Sequence, residues 1–194
     1  GKTTTTSMLA EILLKTELDP TISVGGILPT IGGNIRIGHT GCMLTEACEY
    51  TNSFHSFNPF ISIILNVDED HLDFFSGIEE IAQSFKTFAE ILPKDGLLVI
   101  NGDMEHKDFI TKDLDCNIIT FGLNEGNKYQ AKDITFDDEG HPSYKLYVDG
   151  KEIDTINLHS TGVHNVVNSL SVIAVADFLE LDLKHTKSGL LECT

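Results

Sequence analysis

The chain has 194 residues, 41% of them apolar, and 30 acidic against 13 basic side chains give it a net charge of −17. That is enough length and apolar content for one sizeable domain with its own core. The charge speaks against a nucleic-acid partner, which would need clustered Lys and Arg, and leaves local amides, a lysine and metal ions as the means of holding any phosphate. The four cysteines (Cys42, Cys48, Cys116, Cys193) form no CxxC pair, as in a reduced, cytoplasmic protein. The longest apolar run, near Phe60 to Leu65, is too short to cross a bilayer, so no membrane partner is expected. The chain opens on Gly1-Lys2-Thr3 without an initiator Met, and reads as an excised domain with sequence missing before Gly1 and after Thr194.

From Thr3 to about Leu18, apolar residues at Met8, Leu9, Ile12 and Leu13 predict a helix. Thr21 to Val24 is a short β-branched run, followed by a glycine-rich loop from Gly25 to Gly41. Cys42 to Ala47 and Ile61 to Val67 read as buried strands, the second almost continuously apolar, as a parallel strand covered on both faces should be. Ile78 to Leu92 has helical spacing and stops near Pro93. Leu97 to Asn101 and Asn117 to Phe121 are further buried strands, and this alternation of strand and helix implies a parallel α/β sheet. Tyr129 to Phe136, Ser143 to Val148 and Glu152 to Leu158 alternate apolar with polar residues, and Asp149-Gly150 marks a hairpin turn. Gly162 to Glu180 is a strong helix, and a final amphipathic piece follows Leu183. The expected fold is α/β: a mostly parallel, P-loop-containing sheet flanked by helices, in one domain over 1–194, with a small antiparallel β appendage at about 129–158.

Four segments carry chemistry. Gly1-Lys2-Thr3-Thr4 opening a helix is the second half of a P-loop. There glycine admits the backbone to phosphates, lysine neutralises their oxygens, and the threonine hydroxyl ligates Mg²⁺ at the positive end of the helix. Glu46-Ala47-Cys48-Glu49-Tyr50 ends a predicted strand, where an acid facing a P-loop can hold Mg²⁺ or its water or simply sit at the surface. Asn66-Val67-Asp68-Glu69-Asp70-His71-Leu72-Asp73 follows another strand, and His71 among these carboxylates suits a metal ligand, a base or an acidic surface turn. In Gly162-Val163-His164-Asn165-Val166-Val167-Asn168, the two asparagines share a helix face and can either read a base edge or stand as polar surface positions.

In this order the motifs resemble the Mur ligase family: GKTTTT, then E-A-x-E, then N-x-x-x-D-H-L-D, then G-x-H-N-x-x-N, together spanning Gly1 to about Asp177. The resemblance implies the central, ATP-binding domain of a three-domain enzyme, with an N-terminal domain for a UDP-sugar and a C-terminal domain for the amino acid. Glu46 to Tyr50 followed by Ser53-Phe54 looks most like the branch that joins L-alanine to UDP-N-acetylmuramic acid through an acyl phosphate. Cys48 stands where that branch commonly has Asp, which keeps a murein-recycling peptide ligase as the alternative. A P-loop NTPase switch is the reading from another class, and it lacks an Asn-Lys-x-Asp motif here. Carried over by resemblance, Gly1, Lys2, Thr3 and Thr4 bind the ATP phosphates. Thr3 and Glu46 hold one Mg²⁺ and His71 helps hold a second, with Mn²⁺ as a substitute; Lys2, Glu46 and His71 form the catalytic set. Asn165 and Asn168 contact adenine, with His164 near the nucleotide. Some relatives carry a carbamylated lysine about fifteen residues after the metal-binding histidine, and Lys86 stands at that offset from His71. The isolated domain is expected to be inactive in ligation.

Overall fold

The computed structural model describes residues 1–68 and 74–193. Helix α1 (Lys2–Leu13) buries Met8, Leu9, Ile12 and Leu13. Its apolar spacing predicts a run to Leu18, but the helix stops earlier: the Thr16 hydroxyl donates to the Leu13 carbonyl and accepts the Leu18 N–H. Asp19 then takes a left-handed φ of 37°, a conformation Asp tolerates better than most residues. The Arg36 guanidinium grips the Asp19 carboxylate, and the His39 backbone and ring also donate to it. These bonds, Arg36 first, hold its carboxyl well below the usual range.

Strand β1 (Thr21–Leu28) runs through Gly25 and Gly26, which the sequence places in a loop. It pairs antiparallel with β2 (Gly33–Arg36), a strand missing from the sequence reading, and parallel with β3 (Met43–Thr45). These three strands form a sheet of their own in the order β2-β1-β3. The predicted buried strand at Cys42 to Ala47 is therefore shorter and half-exposed, with Met43 62% accessible, because β3 is an edge strand of this small sheet. Ile22, Val24 and Leu28 pack on Ala10 of α1.

The second sheet has six strands in chain order: β4 (Ile61–Ile64), β5 (Leu97–Asn101), β6 (Asn117–Gly122), β7 (Tyr129–Phe136), β8 (Pro142–Val148) and β9 (Lys151–Asn157). The first four are mutually parallel and the last three antiparallel. Strand β5 shows how the layers form, since its side chains alternate between faces. Leu97 and Val99 pack under α1, α4 (Val163–Phe178) and α5 (Leu183–Glu192). Leu98 and Ile100 pack on the opposite side with α2 (Ile78–Glu90) and α3 (Lys107–Thr111). Helix α2 is anchored at its start by Ser76, whose N–H and hydroxyl both donate to Glu80.

The antiparallel appendage extends one end of this sheet and packs into the same core. Tyr129, Ala131, Tyr144, Leu146 and Ile156 share one core with Val166, Leu170 and Ile173 of α4. The Tyr144 hydroxyl meets Ser169 at 2.7 Å inside that core, and Tyr129 donates to Asp177. Burying a residue such as Leu170 contributes about 1.5–3 kcal/mol, so strands and helix stabilise each other. Helix α5 lies so close to α1 that a Cβ at Gly189 would come within 2.9 Å of the Ile12 backbone. No described helix is long and apolar enough to cross a membrane, and all four cysteines are free thiols.

Candidate active site

Strands β1 and β3 run parallel with Ser23 opposite Thr45, so the C-terminal end of β3 emerges beside Gly25 and Gly26 of β1, near Thr3 in the first turn of α1. Crevices in α/β folds form at such strand ends. Glu46 is the next residue after β3. One of its carboxylate oxygens accepts the Gly25 N–H at 2.7 Å and the other accepts the Thr3 hydroxyl at 3.3 Å. A side chain at residue 25 would place its Cβ 2.8 Å from that carboxylate, and one at residue 26 would come 3.2 Å from the Thr3 methyl. The Gly25-Gly26 pair is thus a floor on which Glu46 and Thr3 meet.

Lys2 donates to both carboxylate oxygens of Glu49 at 2.8 Å. The acid is the more enclosed partner, its side chain 11% exposed against 50% for the lysine. Glu49 is positioned by an unusual turn just after it. Thr51 and Asn52 both have a φ of 56°, a conformation costing about 1 kcal/mol or more per non-glycine residue. Packing sustains it: Phe54 stacks on His55 and Phe88 at 4.7 and 4.5 Å, the Ser84 hydroxyl donates to Asn52, and His55 meets the Ser84 carbonyl at 2.9 Å. The first turn of α1, with its partial positive charge, carries Lys2 and Thr3 and so lies beside this cluster of oxygens.

This geometry brings Lys2, Thr3, Glu46 and Glu49 together from segments more than forty residues apart. Gly25, Gly26 and the role of Glu49 as partner of Lys2 escape the sequence reading. The available signal is a Gly-Gly pair following a β-branched run, with a second acid three residues after Glu46. His71 lies outside the described residues, as do Glu69, Asp70, Leu72 and Asp73.

Toward the other end of the first turn of α1, Thr4 and Asn165 line one cavity of about 590 Å³. The Asn165 amide donates to the Thr161 carbonyl at 2.9 Å and accepts from Asn168 at 3.0 Å. Both asparagines are buried, so Asn168 serves Asn165, and Asn165 is the one at the cavity wall. The His164 ring instead covers Gly162, where a Cβ would fall 2.7 Å from it. Lys86 is not drawn into the cluster: its ammonium donates to the Phe109 and Lys112 carbonyls on the seam between α2 and α3.

The oxygen donors of Thr3 and Glu46 suit a hard divalent cation. Among the described residues no group of three or more His, Cys, Asp or Glu side chains is spaced for a metal. A cation held by Thr3 and Glu46 can complete its coordination with phosphate and water oxygens, which is the habit of Mg²⁺.

A profile of the Mur ligase middle domain matches residues 1–176. The chain is 54% identical over 191 residues to a UDP-N-acetylmuramate–L-alanine ligase of Lachnospira eligens, covering 98% of this chain and 42% of that protein. It is 46% identical to the enzyme of the same name from Caldanaerobacter subterraneus, covering 99% and 42%. The chain thus spans about two fifths of the length of these relatives. Among solved structures, the UDP-N-acetylmuramate-alanine ligase MurC of Thermotoga maritima superimposes with a TM-score of 0.86 at 28% identity, over all of this chain and 43% of that one. A UDP-N-acetylmuramate:L-alanyl-γ-D-glutamyl-meso-diaminopimelate ligase from Neisseria meningitidis gives 0.85 at 28%, over 98% and 62%. The fold and these matches agree, and the chain belongs to the Mur ligase family as its middle domain.

Proposed function

We propose that this domain supplies the ATP and Mg²⁺ site of a ligase that joins L-alanine to UDP-N-acetylmuramic acid. The observation that carries the reading is the meeting of Thr3 and Glu46 over the Gly25-Gly26 floor, with Lys2 beside them in the first turn of α1. Relatives 46–54% identical to the chain over the aligned stretch bear the alanine-ligase name, which favours L-alanine over the tripeptide named for the Neisseria neighbour. The remaining length of such relatives would bind the UDP-sugar and the amino acid, and substrates of this kind place the enzyme in the cytoplasm.

In this mechanism the muramoyl carboxylate attacks the γ-phosphate and ADP leaves, giving an acyl phosphate; the amine of alanine then attacks its carbonyl, phosphate leaves and a proton is released as the amide forms. Little covalent chemistry is asked of the protein; it positions groups and neutralises charge. Lys2, steered by Glu49, neutralises the β/γ oxygens. Thr3 and Glu46 would hold Mg²⁺, which supplies further charge neutralisation at the transferring phosphoryl group. The amides at the start of α1 would add their partial positive charge to the same task. Asn165, locked by Asn168, would offer its amide to adenine, and His71 is proposed as a ligand of a second cation.

The test is phosphate release by the intact enzyme with ATP, Mg²⁺ and UDP-N-acetylmuramic acid. Release should depend on L-alanine, with the tripeptide supporting less than about a tenth of that rate, since a site built for one polar substrate rejects a mismatched one by orders of magnitude. Tripeptide-dependent release exceeding the alanine-dependent rate would transfer the assignment to the recycling ligases, and amine-independent ATP hydrolysis would point to an NTPase.

A further inference from the structure

The antiparallel strands reach the nucleotide side of the domain at one place. The β7–β8 turn and the β9–α4 connection face each other across the 590 Å³ cavity, whose walls include Thr4, Glu139, His141, His159, Thr161 and Asn165. The direction of a P-loop fixes which part of a nucleotide this cavity receives. Its lysine serves the β/γ oxygens and its first threonine the metal. Thr4 begins the cavity on the side leading away from Glu46 and Glu49, toward the nucleoside end.

Two imidazoles frame that end. The rings of His141 and His159 lie 5.4 Å apart between centroids and are tilted by 59°. This open angle offers one aromatic face and one edge to a flat ligand, within the range where aromatic groups attract. His141 is held in place: Asp137 accepts the backbone N–H groups of Glu139 and His141 at 3.0 and 2.8 Å and the ring Nδ1 of His141 at 3.1 Å. These bonds, the His141 backbone N–H foremost, keep the Asp137 carboxyl below its ordinary pKa. An ionised carboxylate only accepts, so Nδ1 of His141 is the donor in this contact and the ring is held in one orientation. The Asn165 amide, fixed from both sides, adds a polar group to the same cavity.

We infer that His141 and His159 form the wall on which the purine base of the nucleotide stacks, with Asp137 as the positioning residue for His141. The inference rests on the ATP site proposed above and assigns the antiparallel strands a share in it.

Steady-state kinetics of the intact enzyme test this, with Lys2→Ala as the control for the nucleotide site. His159→Ala and His141→Ala should each raise KM for ATP about tenfold, the order expected for losing one aromatic contact to a base. kcat and the KM values for UDP-sugar and amino acid should stay within about twofold. His159→Phe, which keeps an aromatic face, should restore KM for ATP to near the wild-type value. Asp137→Asn should raise KM for ATP in the wild-type background but add little to His141→Ala, as expected for residues acting as a unit. Unchanged KM for ATP in both alanine variants, with Lys2→Ala inactive, overturns the imidazole wall and leaves the ATP reading standing. A uniform loss in kcat and every KM, without rescue by phenylalanine, also overturns it by showing a structural role. Near-normal activity of Lys2→Ala would instead bring down the ATP site on which the inference rests.

Discussion

Lys2→Ala is expected to lower kcat/KM for ATP in the intact enzyme by about a thousandfold, the upper part of the range for losing one preorganised charge-stabilising group. Two effects add. The variant loses the cation that would meet the β/γ oxygens. It also strips Glu49 of a partner that binds both its oxygens at 2.8 Å, leaving a largely enclosed carboxylate close to where phosphates would lie. With one cation fewer between them, this carboxylate and the phosphates would repel more strongly. The double variant Lys2→Ala/Glu49→Gln should therefore recover part of the loss, about tenfold, although it restores no cation. Measuring kcat/KM for the single and double variants checks both parts. If the double variant is no better than the single, Glu49 does not act through Lys2.

Glu46→Gln should cost about a hundredfold or more in kcat/KM and raise the Mg²⁺ concentration needed for half-maximal activity. The change is nearly isosteric, so it isolates charge. A glutamine carbonyl can still accept the Gly25 N–H, but its NH₂ would replace the carboxylate oxygen now facing the Thr3 hydroxyl at 3.3 Å. Gly25→Ala should reproduce much of this loss without touching either ligand, because its Cβ would lie 2.8 Å from the Glu46 carboxylate. Titrating Mg²⁺ against activity in the two variants checks this. A Glu46→Gln enzyme with wild-type metal dependence would remove Glu46 from the metal site.

How much of this was legible from the residues alone depends on the range of the interaction concerned. Leu97–Asn101 and Tyr129–Phe136 form strands at the predicted boundaries, since continuous apolar runs and strict alternation are local signals. Helix α1 overran in the sequence reading because Leu14 and Leu18 continue its apolar period, while the hydroxyl of Thr16 ends it through a bond that periodicity does not report. Gly25 and Gly26 suggest a loop by composition. Their presence in β1 answers to Glu46 and Thr3 pressing against the backbone, a tertiary demand. The same holds for Lys2 and Glu49, whose residue types suggest a charged site but whose pairing is set by the turn at Thr51 and Asn52. The alternating pattern of the last three strands is plain in the sequence. Their continuity with the parallel sheet rests on two residue pairs, Phe121 with Tyr129 and Gly122 with Gln130, which no pattern marks. Asn165 and Asn168 show their shared helix face, yet only their bonds reveal that one holds the other.

The central claim is that Thr3 and Glu46 form the cation site beside Lys2, and the most direct measurement is anomalous scattering from a crystal of the intact enzyme with Mn²⁺ and a non-hydrolysable ATP analogue. The account predicts a Mn²⁺ peak about 2.1–2.3 Å from the Thr3 hydroxyl and a Glu46 carboxylate oxygen, slightly beyond typical Mg²⁺–oxygen lengths, with the Lys2 ammonium on the β/γ-phosphates. A peak more than about 4 Å from both oxygens, or phosphates bound away from the first turn of α1, would contradict it.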